Sequence, residues 1–295
     1  MQSLNWDDLR IFLAVAREGR LLAAAQRLGL DHSTVARRIT ALEAALGSQV
    51  IDRSPRGVTL TPGGEALLQH AERMEAEMLL ATADLGERSR GIAGSVRLAT
   101  PEAFGTYLVA PNVGLLRQRH PQIQLELAPE SRTVSLSKRE ADIAIGLNRP
   151  PRGRVVARKL VDYRLGLYAA ESYLSGAAPI TTVEALRHHP LVWYIDELID
   201  IPELRYFHQI VTDAPTVFRS SSIAAQQTAV ASGLGLGVLH AFAAEQDARL
   251  VRILPDVEIT RSYWLMFHAD QQRLPRVRAV VDFLDELVQL NLTRF

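Results

Sequence analysis

Leu30-Asp31-His32-Ser33-Thr34-Val35-Ala36-Arg37-Arg38-Ile39-Thr40-Ala41-Leu42-Glu43-Ala44-Ala45-Leu46-Gly47 is the stretch on which the reading of this chain turns. Val35, Ile39, Leu42 and Leu46 fall at intervals of four, three and four, which is one face of an α-helix. Asp31 is placed to cap that helix, Leu30 to pack on Val35 across the cap, and Gly47 to stop it. The opposite face then carries Ser33, Thr34, Arg37 and Arg38, with His32 at its start. Upstream, Leu9, Phe12, Leu13 and Ala16 mark a helix ended by Gly19, and Leu21, Leu22, Ala25 and Leu28 mark one ended by Gly29. Two helices joined by the short link Gly29-Leu30-Asp31 predict a helix-turn-helix. Its second helix, with hydroxyls and guanidiniums turned outward, fits the major groove of B-DNA. Downstream, Val50–Arg53 and Val58–Leu60 read as strands joined by the turn Ser54-Pro55-Arg56-Gly57. Arg53 and Arg56 on that wing are positioned to clamp flanking phosphates.

The whole chain hides this local charge. It has 295 residues, 47% hydrophobic and 22% charged, with Lys+Arg and Asp+Glu both at 33. Within residues 20–38, however, Arg20, Arg27, Arg37 and Arg38 stand against Asp31 alone. The length predicts about two domains on a prior of roughly 150 residues each. The absence of Cys excludes disulfides, thiolate metal sites and thiol redox sensing. Lys138 and Lys159 are the only lysines, and neither follows a glycine, so no P-loop is present. The start, Met1 to Asp8, has no basic segment leading into an apolar core, and no stretch reaches the ~18 apolar residues of a membrane span. The expected setting is the cytoplasm.

Thr61-Pro62 is a strong helix start, with Thr as cap and Pro in the first turn. Leu67, Ala71, Met74, Met78, Ala81 and Leu85 then repeat at 4, 3, 4, 3, 4, a heptad seam on about 25 residues of helix, roughly 37 Å long. Few other elements lie nearby in sequence to cover such a stripe, so it is expected to pair two copies of the chain. A groove reader needs two recognition helices one turn of duplex apart, which a two-fold pair provides. Gly91 to Gly94 marks a hinge, and residues 95–295 alternate strand and helix. Strands are expected at Val96–Ala99, Ile123–Leu127, Asp142–Ile145, Val155–Leu160, Leu165–Tyr168, Leu191–Ile195 and Val217–Arg219. Tyr163–Ala169 and Tyr263–His268 are expected at the centre. Helices are expected within 103–119, after Thr182, from Ser222 to Ser232, and through Val277, Val280, Leu284 and Leu287. That alternation predicts α/β architecture with parallel sheets, in two lobes with a cleft.

The run Phe12-Leu13-Ala14-Val15-Ala16-Arg17-Glu18-Gly19, with Ala23–Leu28, resembles the N-terminal domain of LysR-type transcriptional regulators. So do Ser33–Ile39, Leu42-Glu43, Leu46-Gly47, Asp52-Arg53 and Leu60–Glu65. The resemblance extends over the whole chain in its order of parts, and implies an α+α/β fold. Residues 1–61 would be a winged helix-turn-helix, 62–90 a linker helix for dimerisation, and 91–295 a two-lobed α/β effector domain resembling periplasmic binding proteins. It implies DNA, a small-molecule effector, a second copy of the chain and RNA polymerase as partners, a homotetramer as the assembly, and no cofactor or metal. Two departures alter what the DNA sequence can be: Asp31-His32 where the family often has Ser-Gln, and Ala36 where it often has Ser.

The same resemblance places the effector between the lobes. Matching positions are Thr100, Pro101 and Glu102 after the first strand, Ser131 after the second, Gly146, Leu147 and Arg149 after Asp142–Ile145, and Ser221, Ser222 and Ile223 at the later helix. Hydroxyls and N–H groups at helix N-termini favour anions, clefts outside strand ends collect ligands, and Arg149 is suited to a bidentate carboxylate. Glu102 opposes this, because an acid there repels an anion unless it is neutralised or turned aside. The effector is then cationic, neutral or absent.

Other signals carry less. Gly233-Leu234-Gly235-Leu236-Gly237 has its third glycine one place early for a dinucleotide fingerprint and follows a helix, so it reads as a tight helix-to-strand turn. His188 and His189 are adjacent before Pro190 and point apart, which does not suit a metal. Asp196, Glu197 and Asp200 read as a solvated loop. No His-Glu-x-x-His, Gly-x-Ser-x-Gly or paired-carboxylate arrangement occurs, so no enzyme is expected. The alternative is a cytoplasmic solute-binding or enzymatic α/β protein with an incidental helical N-terminus.

Overall fold

The computed structural model describes residues 4–55, 57–90, 92–129, 141–150, 155–198 and 214–295, with side chains on the long helix described as far as Thr82. They divide into two units, each with its own core.

In the first unit, α1 (Trp6–Glu18), α2 (Leu21–Leu28) and α3 (His32–Leu46) are each closed by a left-handed glycine, at Gly19, Gly29 and Gly47. Only a residue without Cβ takes that conformation at little cost, which is why the apolar periodicity stops where it does. Phe12, Val15, Ala24, Val35 and Ile39 are fully buried in one cluster, with Leu28, Leu30 and Leu46 packed around it. Leu22 does not join them. It is 58% exposed, and the short side chains of Ala24 and Ala25 face inward instead, which lets α1 and α3 approach. Asp31 stands at the α3 cap position in extended conformation, but its exposed side chain accepts no cap hydrogen bond.

Strands β1 (Ile51–Ser54) and β2 (Gly57–Leu60) form the antiparallel wing. Glu43 holds it to α3, accepting from the N–H groups of Val50 (3.0 Å) and Ile51 (3.4 Å). Helix α4 (Pro62–Arg90) starts where Thr61 Oγ1 accepts from Gly64 N–H at 3.0 Å. Gly64 is needed because any Cβ there would lie 1.9 Å from the Val50 carbonyl oxygen. The first turns of α4 bury Ala71 in the helix-turn-helix core, with Leu67 and Leu68 beside it.

The second unit is built on one sheet of order β4-β3-β5-β10-β6-β9-β7-β8. Its first half is laid down by β3 (Gly94–Thr100), α5 (Glu102–Phe104), a π-helical turn at Gly105–Val109, α6 (Ala110–Arg119), β4 (Ile123–Pro129) and β5 (Ile143–Gly146). Strand β6 (Val155–Ala170) crosses to the second half. There α7 (Glu171–Leu174), β7 (Leu191–Trp193), β8 (Thr216–Arg219), α8 (Ile223–Ala231), β9 (Leu236–His240) and α9 (Ala241–Ala244) follow. Strand β10 (Leu250–His268) returns, and α10 (Pro275–Leu290) closes the unit, burying Val277, Val280, Leu284 and Leu287.

The sheet corrects in part the expectation of parallel sheets. Two parallel triads, β4-β3-β5 and β9-β7-β8, flank β10 and β6, which are antiparallel to each other and to their outer neighbours. Val155–Leu160 and Leu165–Tyr168 are parts of the single strand β6. The polar residues between them sit on its outer face, where Asp162 accepts from Ser262 (2.5 Å) and Lys159 (2.6 Å). Only a 3-10 turn, Glu184–His188, follows Thr182 in place of a longer helix, because Pro190 soon forbids further turns. Asp196 is not simply solvated; it pairs with Arg219 at 2.8 Å, while Asp200 lies outside the described residues. The glycines at 233–237 do form a helix-to-strand turn between α8 and β9.

Candidate nucleic-acid interface and ligand cleft

The outer face of α3 presents part of what the spacing predicted. His32, Ser33 and Arg37 are exposed, while Thr34 and Arg38 are half-buried. Arg37 and, on β1, the exposed Arg53 make no ion pair among the described residues, so both guanidiniums keep all five donors free. Arg56 lies outside the described residues. The other basic residues are committed: Arg27 pairs with Glu18 at 2.6 Å, and Arg38 donates to Asp8 at 3.0 Å. Asp8 is buried on α1, so Arg38 braces α3 against α1 rather than projecting freely. A second brace was not foreseen. Arg17, buried on α1, donates to both carboxylate oxygens of Glu75 on α4, at 3.2 and 2.6 Å. Its sequence signal is a charged residue in phase with the core stripe, four places after Leu13.

On α4 the heptad positions divide. Leu67 and Ala71 serve the core, whereas Met74 and Met78 are 46% and 54% exposed. With Trp6, His70, Arg73 and Glu77 they line an open groove of about 600 Å³. Leu85 lies outside the described side chains.

In the second unit, two helices start at the ends of parallel strands, α5 after β3 and α8 after β8. Ser222 caps α8, its Oγ accepting from Ala225 N–H at 3.2 Å, and Ser220 Oγ in turn accepts from Ser222 N–H at 3.1 Å. Glu102 reaches this cap from α5. Ser222 Oγ donates to its Oε1 at 2.7 Å, and Ile223 N–H donates to its Oε2 at 2.6 Å. The acid expected to repel an anion is thus turned onto the helix N-terminus, where partial positive charge stabilises it. Thr100 is buried beside Gly105, with its hydroxyl lacking a hydrogen-bond partner among the described residues, and Pro101 precedes α5. Arg149 stands apart from this constellation, with its guanidinium over the Trp264 ring at 6.0 Å. Gly146 ends β5 against Met266, Ser221 is exposed, and Ser131 lies outside the described residues.

A cavity of about 390 Å³ opens between the turn after α5 and α8, lined by Tyr107, Pro111, Gln227, Gln246, Asp247 and Arg249 among others. None of the expected effector residues that the structure describes lines it. Burial first, then the Glu102 and Asp247 carboxylates, raise the Tyr107 phenol above its ordinary value. Among the described residues no three His, Cys, Asp or Glu side chains gather as a metal set, and no helix is long and apolar enough to cross a membrane. His189 instead meets the Tyr173 hydroxyl at 2.7 Å, and burial lowers its pKa.

Residues 6–65 match the family described as bacterial regulatory helix-turn-helix protein, lysR family, and residues 89–289 match the LysR substrate binding domain. The chain belongs to the LysR-type transcriptional regulators. It is 31% identical to the Mau operon transcriptional activator of Paracoccus denitrificans over 96% of each chain. It is 28% identical to a probable HTH-type transcriptional regulator, LtrA, of Klebsiella pneumoniae over 95% of this chain and 94% of that one. The full-length regulator LysG of Corynebacterium glutamicum, solved with bound effector Arg, shares the fold at 22% identity and a TM-score of 0.64, covering 96% of this chain and 98% of that one. The LysR-type chain is therefore a DNA-binding regulator with an effector-binding domain.

Proposed function

We propose that residues 1–61 read an operator, residues 62–90 pair two copies, and residues 91–295 respond to a small molecule. In this reading His32, Ser33, Thr34 and Arg37 meet base edges and phosphates in the major groove. Arg38, held by Asp8, sets the angle of the helix while keeping part of its guanidinium outward. Arg53 and Arg56 clamp the flanking backbone. The observation that carries this is a helix whose apolar face is fully committed to its own core while Arg37, on the other face, has no ion-pair partner among the described residues. The Met74 and Met78 stripe supports pairing, with the effector domains joining dimers into a tetramer that works beside RNA polymerase in the cytoplasm. The effector acts by binding one arrangement of the two halves of the sheet domain better than another, which shifts the population of dimer geometries. The chain acts by binding rather than by catalysis.

A gel-shift titration of the full chain on its own promoter and on a scrambled duplex, at several salt concentrations, tests this. Saturable binding to the promoter alone is expected, weakening by about 0.9 log units per log unit of salt for each phosphate contact. Equal affinity for both duplexes would contradict it.

A further inference from the structure

The start of α8 is a ready seat for a carboxylate. Ser222 Oγ and Ile223 N–H converge on one point, and the partial positive charge of the helix end favours an anion there. In this chain the seat is already taken. The Glu102 carboxylate places one oxygen on each donor, at 2.7 and 2.6 Å, across 120 residues of sequence. Its own helix, α5, follows β3 of the first parallel triad and α8 follows β8 of the second, so the contact joins the two halves of the unit. Among the described residues no Arg, Lys or His pairs with Glu102, so the helix end and one hydroxyl are what hold its charge.

We propose that Glu102 is a built-in ligand: it fills the anion seat of α8, latches the two halves of the effector domain together, and reserves the cleft for neutral or cationic molecules. This rests on the reading of the cleft as the effector site. A compound presenting a carboxylate or phosphate reaches α8 only by displacing Glu102, so anions are poor ligands of the native chain. The lone pairs of Glu102 not used by Ser222 and Ile223 remain able to accept from an N–H donor of a ligand.

The test is chemical rescue. Full-length wild type, Glu102→Ala and Glu102→Gln are titrated with sodium propionate against sodium chloride at matched ionic strength, following thermal unfolding and amide exchange at Ile223. Glu102→Ala is expected to lose protection at Ile223 and to regain it saturably with propionate, which refills the seat, while wild type does not respond. Glu102→Gln keeps the size but not the charge, and its Ile223 amide is expected to exchange roughly tenfold faster or more, as for weakening one hydrogen bond to a charged acceptor. Equal propionate responses in wild type and Glu102→Ala, no response in either, or unchanged exchange in Glu102→Gln would overturn the proposal. Operator affinity measured on the same samples separates the two readings. If propionate restores Ile223 protection in Glu102→Ala but leaves DNA binding unmoved, the latch stands and the cleft is not the effector switch.

Discussion

Arg37 on α3 and Glu102 on α5 are single charged side chains at the two surfaces proposed to work in this regulator, and they are treated in opposite ways. Arg37 is exposed and makes no ion pair among the described residues, whereas both oxygens of Glu102 are bonded within the chain. A surface that meets a polyanion gains by keeping its guanidiniums unpaired, because each internal ion pair would have to be broken before a phosphate contact forms. A surface that switches needs the reverse: an internal group that defines one state until a ligand competes with it. The same contrast holds within the helix-turn-helix, where Arg17 and Arg38 are tied to Glu75 and Asp8 and act as struts.

The contrast can be broken most severely at the struts. Glu75→Ala leaves the Arg17 guanidinium, whose side chain is 7% exposed, buried without its partner. It is expected to cost about 3–5 kcal/mol of stability, read by urea unfolding. A change under 0.5 kcal/mol would reclassify that pair as peripheral. Met74→Glu with Met78→Glu places charge on the exposed stripe of α4 and is expected to dissociate the pair without unfolding the core. An unaltered sedimentation coefficient would remove α4 from the interface. Arg38→Ala sharpens the distinction between strut and reader, since it should lower both stability and operator affinity, whereas Arg37→Ala should lower only affinity.

A separate effect is in acid. His240 is fully buried, stacked at 5.4 Å on Tyr163, and burial pushes its pKa down to about 3. The folded chain therefore keeps this imidazole neutral between pH 6.5 and about 3, where the unfolded chain binds the proton. Its contribution is present above pH 6.5 and is lost as pH falls, by at most about 1.4 kcal/mol per unit. His240→Phe should flatten that acid limb, measured as urea midpoint against pH. A limb of unchanged slope would assign the loss to other groups.

How much of this was legible in the sequence follows from the range of each interaction. The helices of the first 60 residues were legible because 3.6-residue periodicity and a glycine stop are local signals. The central position of Tyr163–Ala169 and Tyr263–His268 was legible from their apolar runs, the first interrupted by Arg164 alone. The sequence splits strand β6 in two because Asp162 and Arg164 look like loop residues until Ser262 and Phe295 partner them in the fold. Leu22 was misplaced because α2 is too short for its periodicity to choose between Leu22 and Ala24. The pairs that do the positioning, Arg17 with Glu75 and Glu102 with Ser222, span 58 and 120 residues and leave no mark on local spacing. The sequence sets Glu102 against an anionic ligand unless the acid is neutralised or turned aside, and only the fold supplies the donors that hold it.

The central claim, that the outward face of α3 engages DNA, is tested most directly by fluorescence-anisotropy titration of Arg37→Ala on the wild-type operator over a series of salt concentrations. The account predicts an affinity lower by about 1–3 kcal/mol with thermal stability unchanged. An affinity and salt slope equal to those of the native chain would contradict it.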